Sequence, residues 1–199
     1  MKTPEHGEHW GLLGGAFDPI HLGHINLADD ILDTLKLTGI IFIPSFSHPF
    51  KNDNISSSFE HRVAMLNLVC KNHINFIVST IEKNLSGYTI DTIRKLKELY
   101  SQTKFTFIVG TDSLSQLNQW RNPDEIISEV NLIAGKRPGY EYSRDNCFSD
   151  KIQYIEIAEI DISSSQLRKM ISSSMPDDEL KKYIDRDVLS YIKANKLYK

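Results

Sequence analysis

Two histidines and two glycines near the start of the chain form a pattern suited to binding an anion. Residues 14–24 read Gly-Gly-Ala-Phe-Asp-Pro-Ile-His-Leu-Gly-His, so that His21 and His24 are three residues apart. Gly14 and Gly15 carry no Cβ, and a phosphate group can therefore approach the main chain closely. Three-residue spacing puts both imidazoles on one face of a helix. The segment predicts a phosphate site with two imidazole donors.

The residues on either side predict the strand and the helix that position this site. An apolar run at 10–13 comes before the glycines. Apolar residues at helical spacing follow the histidines: Ile25, Leu27, Ala28, Ile31, Leu32 and Leu35. The start of such a helix presents unpaired N–H groups and the positive end of the helix dipole. The helix start, reached through a glycine-rich turn, would therefore add main-chain donors to the two imidazoles.

A tight turn, an accidental pair of surface histidines and half of a metal site are the alternatives for this segment. The metal site is disfavoured, because no cluster of Cys, Asp or Glu with ligand spacing accompanies the histidines, and Asp18 alone does not complete one. The whole spacing, G-G-x-F-x-P-x-H-x-G-H, is much more specific than a pair of glycines. It favours a phosphate site without a protein-bound metal.

The rest of the chain alternates apolar strands with amphipathic helices. Further strands are predicted at 39–44, 75–80, 104–109, 131–135 and 152–157, the last with the alternation of an edge strand. This order predicts an α/β fold, a Rossmann-like doubly wound, mostly parallel sheet with helices on both faces. Residues 1–199 are expected to form a single domain, with a loose N-terminal extension at 1–9 and short C-terminal helices within 175–199.

Several polar residues follow predicted strands at their carboxyl ends, which is the edge where open α/β sheets bind ligands. His48 and Lys51 follow the second strand and could contact another phosphate, or Lys51 could be a solvated loop lysine. Gly110 and Asp112 follow the fourth strand, at a position that could hold a ribose or an adenine. Arg137 follows the fifth strand and could meet a phosphate or face solvent.

Two later helix starts also offer free amides. Thr89 is expected to be the N-cap of a helix, and its amides could bind an acidic group or serve the helix alone. Ser163 and Ser164 open another helix with Arg168 on its next turn, which makes a second candidate anion clamp. A serine-rich helix start is common, so this clamp becomes specific only together with the first motif. Trp120 lies in a polar neighbourhood and suits either stacking on a flat heteroaromatic ligand or packing in the core.

The composition limits the classes of partner. The chain of 199 residues has a net charge of -3 and a pI of about 6.2, which gives no support for binding nucleic acid. No apolar run is long enough to span a bilayer, and the polar residues 1–9 contain no signal-peptide core. Cys70 and Cys147 have no metal or redox spacing, so we expect reduced thiols and a cytoplasmic protein. The oligomeric state stays open, a homo-oligomer included.

The two anion motifs together resemble the nucleotidyltransferase superfamily that carries the HxGH signature, with Ile-Ser-Ser-Ser-x-x-Arg at 162–168 as its late motif. Within this superfamily the chain resembles the bacterial nicotinate-nucleotide adenylyltransferase family over nearly its whole length. The supporting segments are S-G-Y-T-I-D-T at 86–92, G-T-D-S-L-x-x-L-x-x-W at 110–120, R-P-G-Y at 137–140 and Y-I-x-x-N-x-L-Y at 191–198. The resemblance implies a Rossmann-like sheet and a reaction of ATP with nicotinate mononucleotide that gives nicotinate adenine dinucleotide and pyrophosphate.

The same resemblance implies roles for individual residues. The catalytic residues would be His21, His24 and Arg168, which act on the ATP phosphates with His24 nearest the α-phosphate. The other ATP-binding residues would be Gly14, Gly15, Phe17, Gly110, Asp112, Ile162, Ser163 and Ser164. The mononucleotide-binding residues would be Lys51, Tyr88, Thr89, Trp120 and Arg137. Mg²⁺ is the implied cofactor, held mainly by ATP phosphates because the sequence contains no evident carboxylate cluster.

The chain departs from the family pattern at residues 48–51, which read His-Pro-Phe-Lys where the family has Pro-Pro-His-Lys or Pro-Pro-His-Arg. Lys51 matches the basic position, whereas Phe50 replaces the family's histidine. Ser165 stands where a threonine is more usual and keeps the hydroxyl.

Three related functions share part of this pattern. Phosphopantetheine adenylyltransferases share the histidines and a late serine motif, but they are usually shorter, and the segments around Thr89 and Trp120 argue against them. Cytidylyltransferases carry a different late motif, R-T-E-G-I-S-T, which this chain lacks. A non-catalytic nucleotide-sensing module would not need to retain both histidines and Arg168 as a transition-state clamp.

Overall fold

A six-stranded sheet forms the centre of the molecule. The computed structural model describes residues 3–46, 55–110, 114, 116–136, 148–157 and 160–199. The strands are β1 (His9–Gly15), β2 (Gly39–Pro44), β3 (Phe76–Val78), β4 (Lys104–Val109), β5 (Asn131–Lys136) and β6 (Ile152–Glu156). They lie in the order β3-β2-β1-β4-β5-β6, and every neighbouring pair is parallel. The predicted Rossmann-like α/β fold is confirmed, with a sheet that is parallel throughout the described strands.

Helices connect the strands and cover the sheet. They are α1 (Leu22–Leu35), α2 (Phe59–Asn72), α3 (Thr89–Leu99), α4 (Pro123–Glu129), α5 (Ser164–Ser172), α6 (Asp177–Leu180) and α7 (Arg186–Ala194). Short 3₁₀ helices span Ile81–Asn84, Leu117–Gln119 and Ser149–Lys151. The last two α-helices confirm the prediction of short C-terminal helices. In the part of the chain that the structure describes, no helix has the length and apolar character needed to cross a membrane.

The core divides into two clusters, one on each face of the sheet. Successive side chains of a strand point to opposite faces, so Phe42 of β2 lies in one cluster and Ile41 and Ile43 lie in the other. Helices α1, α2, α5 and α7 contribute to the first cluster, and α3 and α4 contribute to the second. The central strands are mostly apolar, as expected where both faces of a sheet are covered.

The strand order reverses at β1, and this reversal fixes where a ligand can bind. The chain proceeds from β1 outward through β2 and β3, and then returns to place β4 on the other side of β1. A crevice opens where such a reversal occurs, beyond the carboxyl ends of the strands. Gly15 ends β1 and Gly110 follows β4, so both lie at this crevice.

Residues 3–9 are tied to the sheet more closely than the sequence predicts. Residues 1–9 were expected to be a loose extension, but β1 begins at His9. The residues before it are held by the turn between α3 and β4: Gly7 N donates to Gln102 O (3.0 Å) and Lys104 N donates to Glu8 O (2.9 Å). Trp10 Nε1 also donates to the Glu8 carboxylate (2.9 Å). These contacts extend the β1–β4 pairing toward the N-terminus.

Candidate active site

The loop between β1 and α1 is built around the ring of Phe17. The sequence predicts a turn at Gly14 and Gly15, but both are the last residues of β1, where they pair with Ile43 and Pro44 of β2. Phe17 has a left-handed backbone (φ 50°) and a buried ring. A Cβ on Gly15 would lie 3.2 Å from this ring, so a side chain there would displace Phe17. The ring in turn packs edge-on against His24, with 5.1 Å between ring centroids.

The two histidines lie together at the start of α1. His21 is the N-cap and His24 lies in the first turn, and their rings stack with centroids 3.7 Å apart. The prediction that both imidazoles share one face is confirmed. His21 N donates to His24 Nδ1 at 3.3 Å. Because Nδ1 accepts this bond, the neutral His24 ring carries its proton on Nε2, which is then a hydrogen-bond donor.

Burial makes both imidazoles neutral at physiological pH. It lowers the pKa of His21 from 6.5 to about 4. It also lowers the pKa of His24 well below 6.5, and the neighbouring His21 charge adds to this effect. His21 is 6% exposed, and its Nδ1 has no hydrogen-bond partner within the described ranges. A phosphate at this position would favour the charged imidazoles and would supply an acceptor for them.

We expect the protein to lose stability as the pH falls from 6.5 to 4. In this window His21 of the unfolded chain takes up a proton and the buried His21 of the folded chain does not, so the unfolded state binds more protons. The His21 contribution to the free energy of unfolding, about 3 kcal/mol, is present above pH 6.5 and lost as the pH approaches 4. Urea denaturation of the wild type and His21→Gln at several pH values measures it. The variant should show a shallower pH dependence, and identical slopes would contradict the assignment.

The start of α5 lies against the β1–α1 loop. Arg168 Nη1 donates to Asp18 O at 2.7 Å, although the two residues are 150 positions apart. Ser164 Oγ donates to Pro19 O at 2.9 Å. The fold therefore brings the second predicted anion clamp next to the histidine pair. The roles given to these residues toward ATP stay predictions.

The hydroxyl groups at the start of α5 are used within the protein. Ser163 is the N-cap, and its Oγ accepts a hydrogen bond from Gln166 N at 3.2 Å, while Gln166 Oε1 accepts one from Ser163 N at 2.7 Å. Ser164 Oγ is bonded to Pro19, and Ile162 is buried. The Ser164 O–H is committed to Pro19 O, whereas Ser163 Oγ acts as an acceptor and keeps its own O–H as a donor. An anion at this helix start would therefore bind to main-chain N–H groups of the first turn and to the Ser163 hydroxyl.

The start of α3 differs from the prediction by one residue. Tyr88 is the N-cap and Thr89 is the first helical residue, so the expectation that Thr89 caps the helix is wrong. The cap position uses the Tyr88 carbonyl, which accepts from Asp91 N (3.0 Å) and Thr92 N (3.3 Å). Tyr88 N already donates to Ser86 Oγ at 3.2 Å. The Thr89 amide is thus a better candidate donor to a ligand than the Tyr88 amide.

Two candidate residues near the end of β4 border this region. Trp120 ends the 3₁₀ helix Leu117–Gln119, is half-buried, and packs edge-on against Phe107 of β4 with 6.0 Å between ring centroids. The ring thus packs against the core and is also partly exposed, and its stacking on a ligand stays a prediction. No described atom lies within 4 Å of the Cβ position of Gly110, which leaves space beyond β4.

Four candidate residues lie outside the described part of the chain. They are His48, Lys51, Asp112 and Arg137. Their contacts with a phosphate, a ribose or a nucleotide stay predictions.

Two buried charged residues that sequence reasoning did not select support the site. Arg62 of α2 is 1% exposed, and it donates to Ala16 O (2.7 Å) and Ser45 O (2.8 Å). It thereby ties the β1–α1 loop to the end of β2. Asp18 is also 1% exposed, and its carboxylate lies 3.6 Å from Arg168 Nη1. The only sequence signal for Asp18 is its place inside the first motif, and Arg62 has none.

Comparison with known proteins gives concordant results. Residues 12–170 match the family model described as cytidylyltransferase-like. A probable nicotinate-nucleotide adenylyltransferase of Bacillus licheniformis is 36% identical over 94% of this chain and 97% of its own length. Another, of Carboxydothermus hydrogenoformans, is 35% identical over 97% of this chain and 99% of its own length.

Solved structures agree in fold. Nicotinic acid mononucleotide adenylyltransferase of Plasmodium falciparum is similar with a TM-score of 0.80 in its complex with NaAD and 0.78 in its complex with APC. In both cases the alignment covers 96% of this chain and 97% of the other at 22% identity. At that identity the likeness establishes the architecture of the chain.

Proposed function

Since this chain belongs to the cytidylyltransferase-like family, among the nicotinate-nucleotide adenylyltransferases, we propose that it transfers the adenylyl group of ATP to nicotinate mononucleotide in NAD biosynthesis. The products are nicotinate adenine dinucleotide and pyrophosphate. The observation that carries this proposal is the meeting of two distant segments: Arg168 Nη1 is bonded to Asp18 O, three residues before His21. This contact supports the proposal that donors from both segments bind one substrate.

The reaction needs positioning more than acid–base chemistry. A phosphate oxygen of the mononucleotide attacks the α-phosphorus of ATP, and the bond from that phosphorus to the bridging oxygen breaks as pyrophosphate leaves. The nucleophile is already an anion, so no general base is required. What the protein must supply is in-line alignment and stabilisation of the negative charge that develops on the α-phosphate and the leaving group.

The histidine pair suits the α-phosphate end of this reaction. In the proposal His24 donates from Nε2 to an α-phosphate oxygen, because its Nδ1 is engaged with His21 N. His21 and the N-terminus of α1 complete the donors on that side. Both imidazoles are neutral before ATP binds, because burial lowers their pKa values. A bound phosphate favours the protonated form, and the hydrogen bonds from the rings become stronger as negative charge develops on the α-phosphate.

Arg168 and the first turn of α5 are assigned to the β- and γ-phosphates. The guanidinium is held by Asp18 O, and its planar fork can bind a second acceptor while it keeps this contact. Gly14, Gly15 and Phe17 would contact the nucleotide through their main chain, and Gly110 with Asp112 would hold the adenosine. These assignments rest on the place of each described residue at the crevice and on the sequence motif for Asp112.

The mononucleotide is assigned to the start of α3 and to Trp120. An anionic nicotinate carboxylate is favoured at a helix N-terminus, where the Thr89 amide is available, and the exposed part of the indole can stack on the pyridine ring. Lys51 and Arg137 would bind its phosphate.

Mg²⁺ is proposed to arrive with ATP, bound mainly by phosphate oxygens. The described residues contain no group of three His, Cys, Asp or Glu side chains that could hold a metal ion. Asp18, the buried carboxylate of the site, already accepts hydrogen bonds from Ser56, Ser57 and Tyr198. These hydrogen bonds support the proposal that phosphate oxygens, and not the Asp18 carboxylate, bind the ion. A cytoplasmic location completes the proposal, and the oligomeric state is left to measurement.

The substrate assignment is tested by comparing nicotinate and nicotinamide mononucleotides with ATP and Mg²⁺. We expect the acid to be used at least roughly tenfold faster in kcat/KM, because an uncharged amide gains little from a helix N-terminus. Faster use of the amide would overturn the substrate assignment. Absence of turnover with either would overturn the function. Phosphopantetheine as a third substrate and ATP binding without turnover then separate the two remaining alternatives.

A further inference from the structure

The carboxylate of Asp18 joins four segments of the chain in what we call the Asp18 network: Asp18, Ser56, Ser57, Arg168 and Tyr198. Oδ2 accepts from Ser56 N (2.6 Å), and Oδ1 accepts from Ser57 N (3.1 Å) and Ser57 Oγ (2.5 Å). Tyr198 Oη donates to Oδ1 at 2.7 Å and lies 3.0 Å from Ser57 Oγ. The network thus contains the β1–α1 loop, the residues before α2, α5 and a residue beyond α7.

Tyr198 reaches Asp18 through an unusual backbone path. Two non-glycine residues after α7, Lys196 and Tyr198, have left-handed conformations, with φ of 52° and 62°. Leu197 N donates back to Ile192 O at 3.0 Å, which turns the chain toward the site. Such conformations are unfavourable for residues with a Cβ and persist where surrounding contacts hold them. Burial raises the pKa of Tyr198, so its hydroxyl remains a donor at any physiological pH.

The distances within the network differ in a way that matters for Arg168. The hydroxyl and amide donors lie within 3.1 Å of the carboxylate, whereas Arg168 Nη1 lies 3.6 Å from Oδ2 and bonds to the main-chain oxygen of Asp18 instead. A buried carboxylate with an unsatisfied oxygen is unfavourable, so loss of the Tyr198 bond would favour a shift of the Asp18 carboxylate toward the nearest cation, the Arg168 guanidinium. A tighter Asp18–Arg168 pair would compete with phosphate for the same N–H groups.

We propose that Tyr198 is a positioning residue for ATP: by donating to Asp18 it keeps that carboxylate from closing on Arg168, so that the guanidinium can bind the ATP phosphates. The inference rests on the proposed function for the role of Arg168. Tyr198 is expected to affect the binding of ATP and not that of nicotinate mononucleotide. The groups assigned to the mononucleotide, Trp120 and the start of α3, do not belong to the Asp18 network.

Tyr198→Phe tests this role, and Tyr191→Phe is its matched control. Tyr191 also carries a hydroxyl bonded across to α2, to His61 Nδ1 at 2.9 Å, but it has no contact with Asp18. Each variant loses one hydroxyl and keeps its ring. We measure kcat, KM for each substrate, the dissociation constant of a non-hydrolysable ATP analogue by calorimetry, and the melting temperature.

In Tyr198→Phe we expect KM for ATP and the dissociation constant of the analogue to rise about five- to tenfold, the usual effect of one hydrogen bond to a charged group. KM for nicotinate mononucleotide should stay within about twofold, and Tyr191→Phe should match the wild type in all binding terms. Ser57→Ala removes another donor from the same oxygen and should shift ATP binding in the same direction. It carries the test if Tyr198→Phe does not fold.

The outcomes separate this inference from the proposed function. Unchanged analogue binding in Tyr198→Phe and Ser57→Ala overturns the positioning role, as does an equal change in KM for both substrates. A wild type that binds the analogue but forms no dinucleotide overturns the proposed function, and the analogue affinities of the variants still decide the role of Tyr198. A wild type that binds no ATP analogue overturns both.

Discussion

Replacing His24 with alanine is expected to reduce adenylyl transfer roughly 100-fold or more, while the melting temperature changes little. The large kinetic effect follows from the loss of a donor that is already oriented: the ring is held between Phe17 and His21, and its tautomer is fixed by His21 N. The small thermal effect follows from its place at the start of α1, because the substitution leaves the apolar contacts of the two core clusters intact. Steady-state kinetics and calorimetry of the same preparation measure both.

Two isosteric variants separate the functions of the two ring nitrogens. Asparagine at position 24 places an oxygen near the Nδ1 position and can keep the bond from His21 N, but it has no group at Nε2. Glutamine can place an amide near Nε2. We expect His24→Asn to be as inactive as His24→Ala with a wild-type melting temperature, and His24→Gln to retain part of the activity. High activity in His24→Asn would show that Nε2 is not the donor.

The central strands could be predicted closely from sequence because their environment is uniform. β2 and β4 have the predicted bounds, since helices cover both faces and all positions but Lys104 and Thr106 are apolar. β3 is shorter than predicted: it pairs only with β2 at the edge of the sheet, and the residues after Val78 leave the ladder. β1 is longer, because Gly14 and Gly15 pair with β2 although glycine is typical of turns.

The site could be predicted only where its residues form local motifs. His21 and His24 are recognisable by spacing, and Arg168 follows a helix start, so each carries a short-range signal. Asp18 and Tyr198 are 180 residues apart, and no periodicity relates two single polar residues over that distance. Their contact is decided by how α7 packs against α2. The α3 cap lies at Tyr88 and not at Thr89 for a local reason: the helix starts without a side-chain cap, so the usual cap residue types do not mark its start.

The second large effect is expected for Arg168, which should matter more than any other described cation. Arg168→Ala should lower kcat/KM for ATP roughly 1,000-fold, as expected when an arginine that stabilises transferring phosphates is removed. It should also cost about 1–3 kcal/mol of stability, because the buried Asp18 carboxylate loses its neighbouring guanidinium and Asp18 O loses a donor. Assays well below the melting temperature of the variant separate the two effects.

Lys169→Ala and Arg168→Lys are the controls that separate the role of the Arg168 guanidinium from the effect of positive charge on α5. Lys169 is the next residue of α5, is exposed, and carries the same charge. Because the charge of an exposed lysine is screened by solvent and salt, its loss should change kcat/KM less than about twofold. Lysine at position 168 keeps a charge beside Asp18 but cannot bind a carbonyl and a phosphate through one planar fork, and should restore only part of the activity. If Lys169→Ala were as impaired as Arg168→Ala, the general positive charge of α5 would be responsible, and the assignment of Arg168 to the phosphates would be wrong.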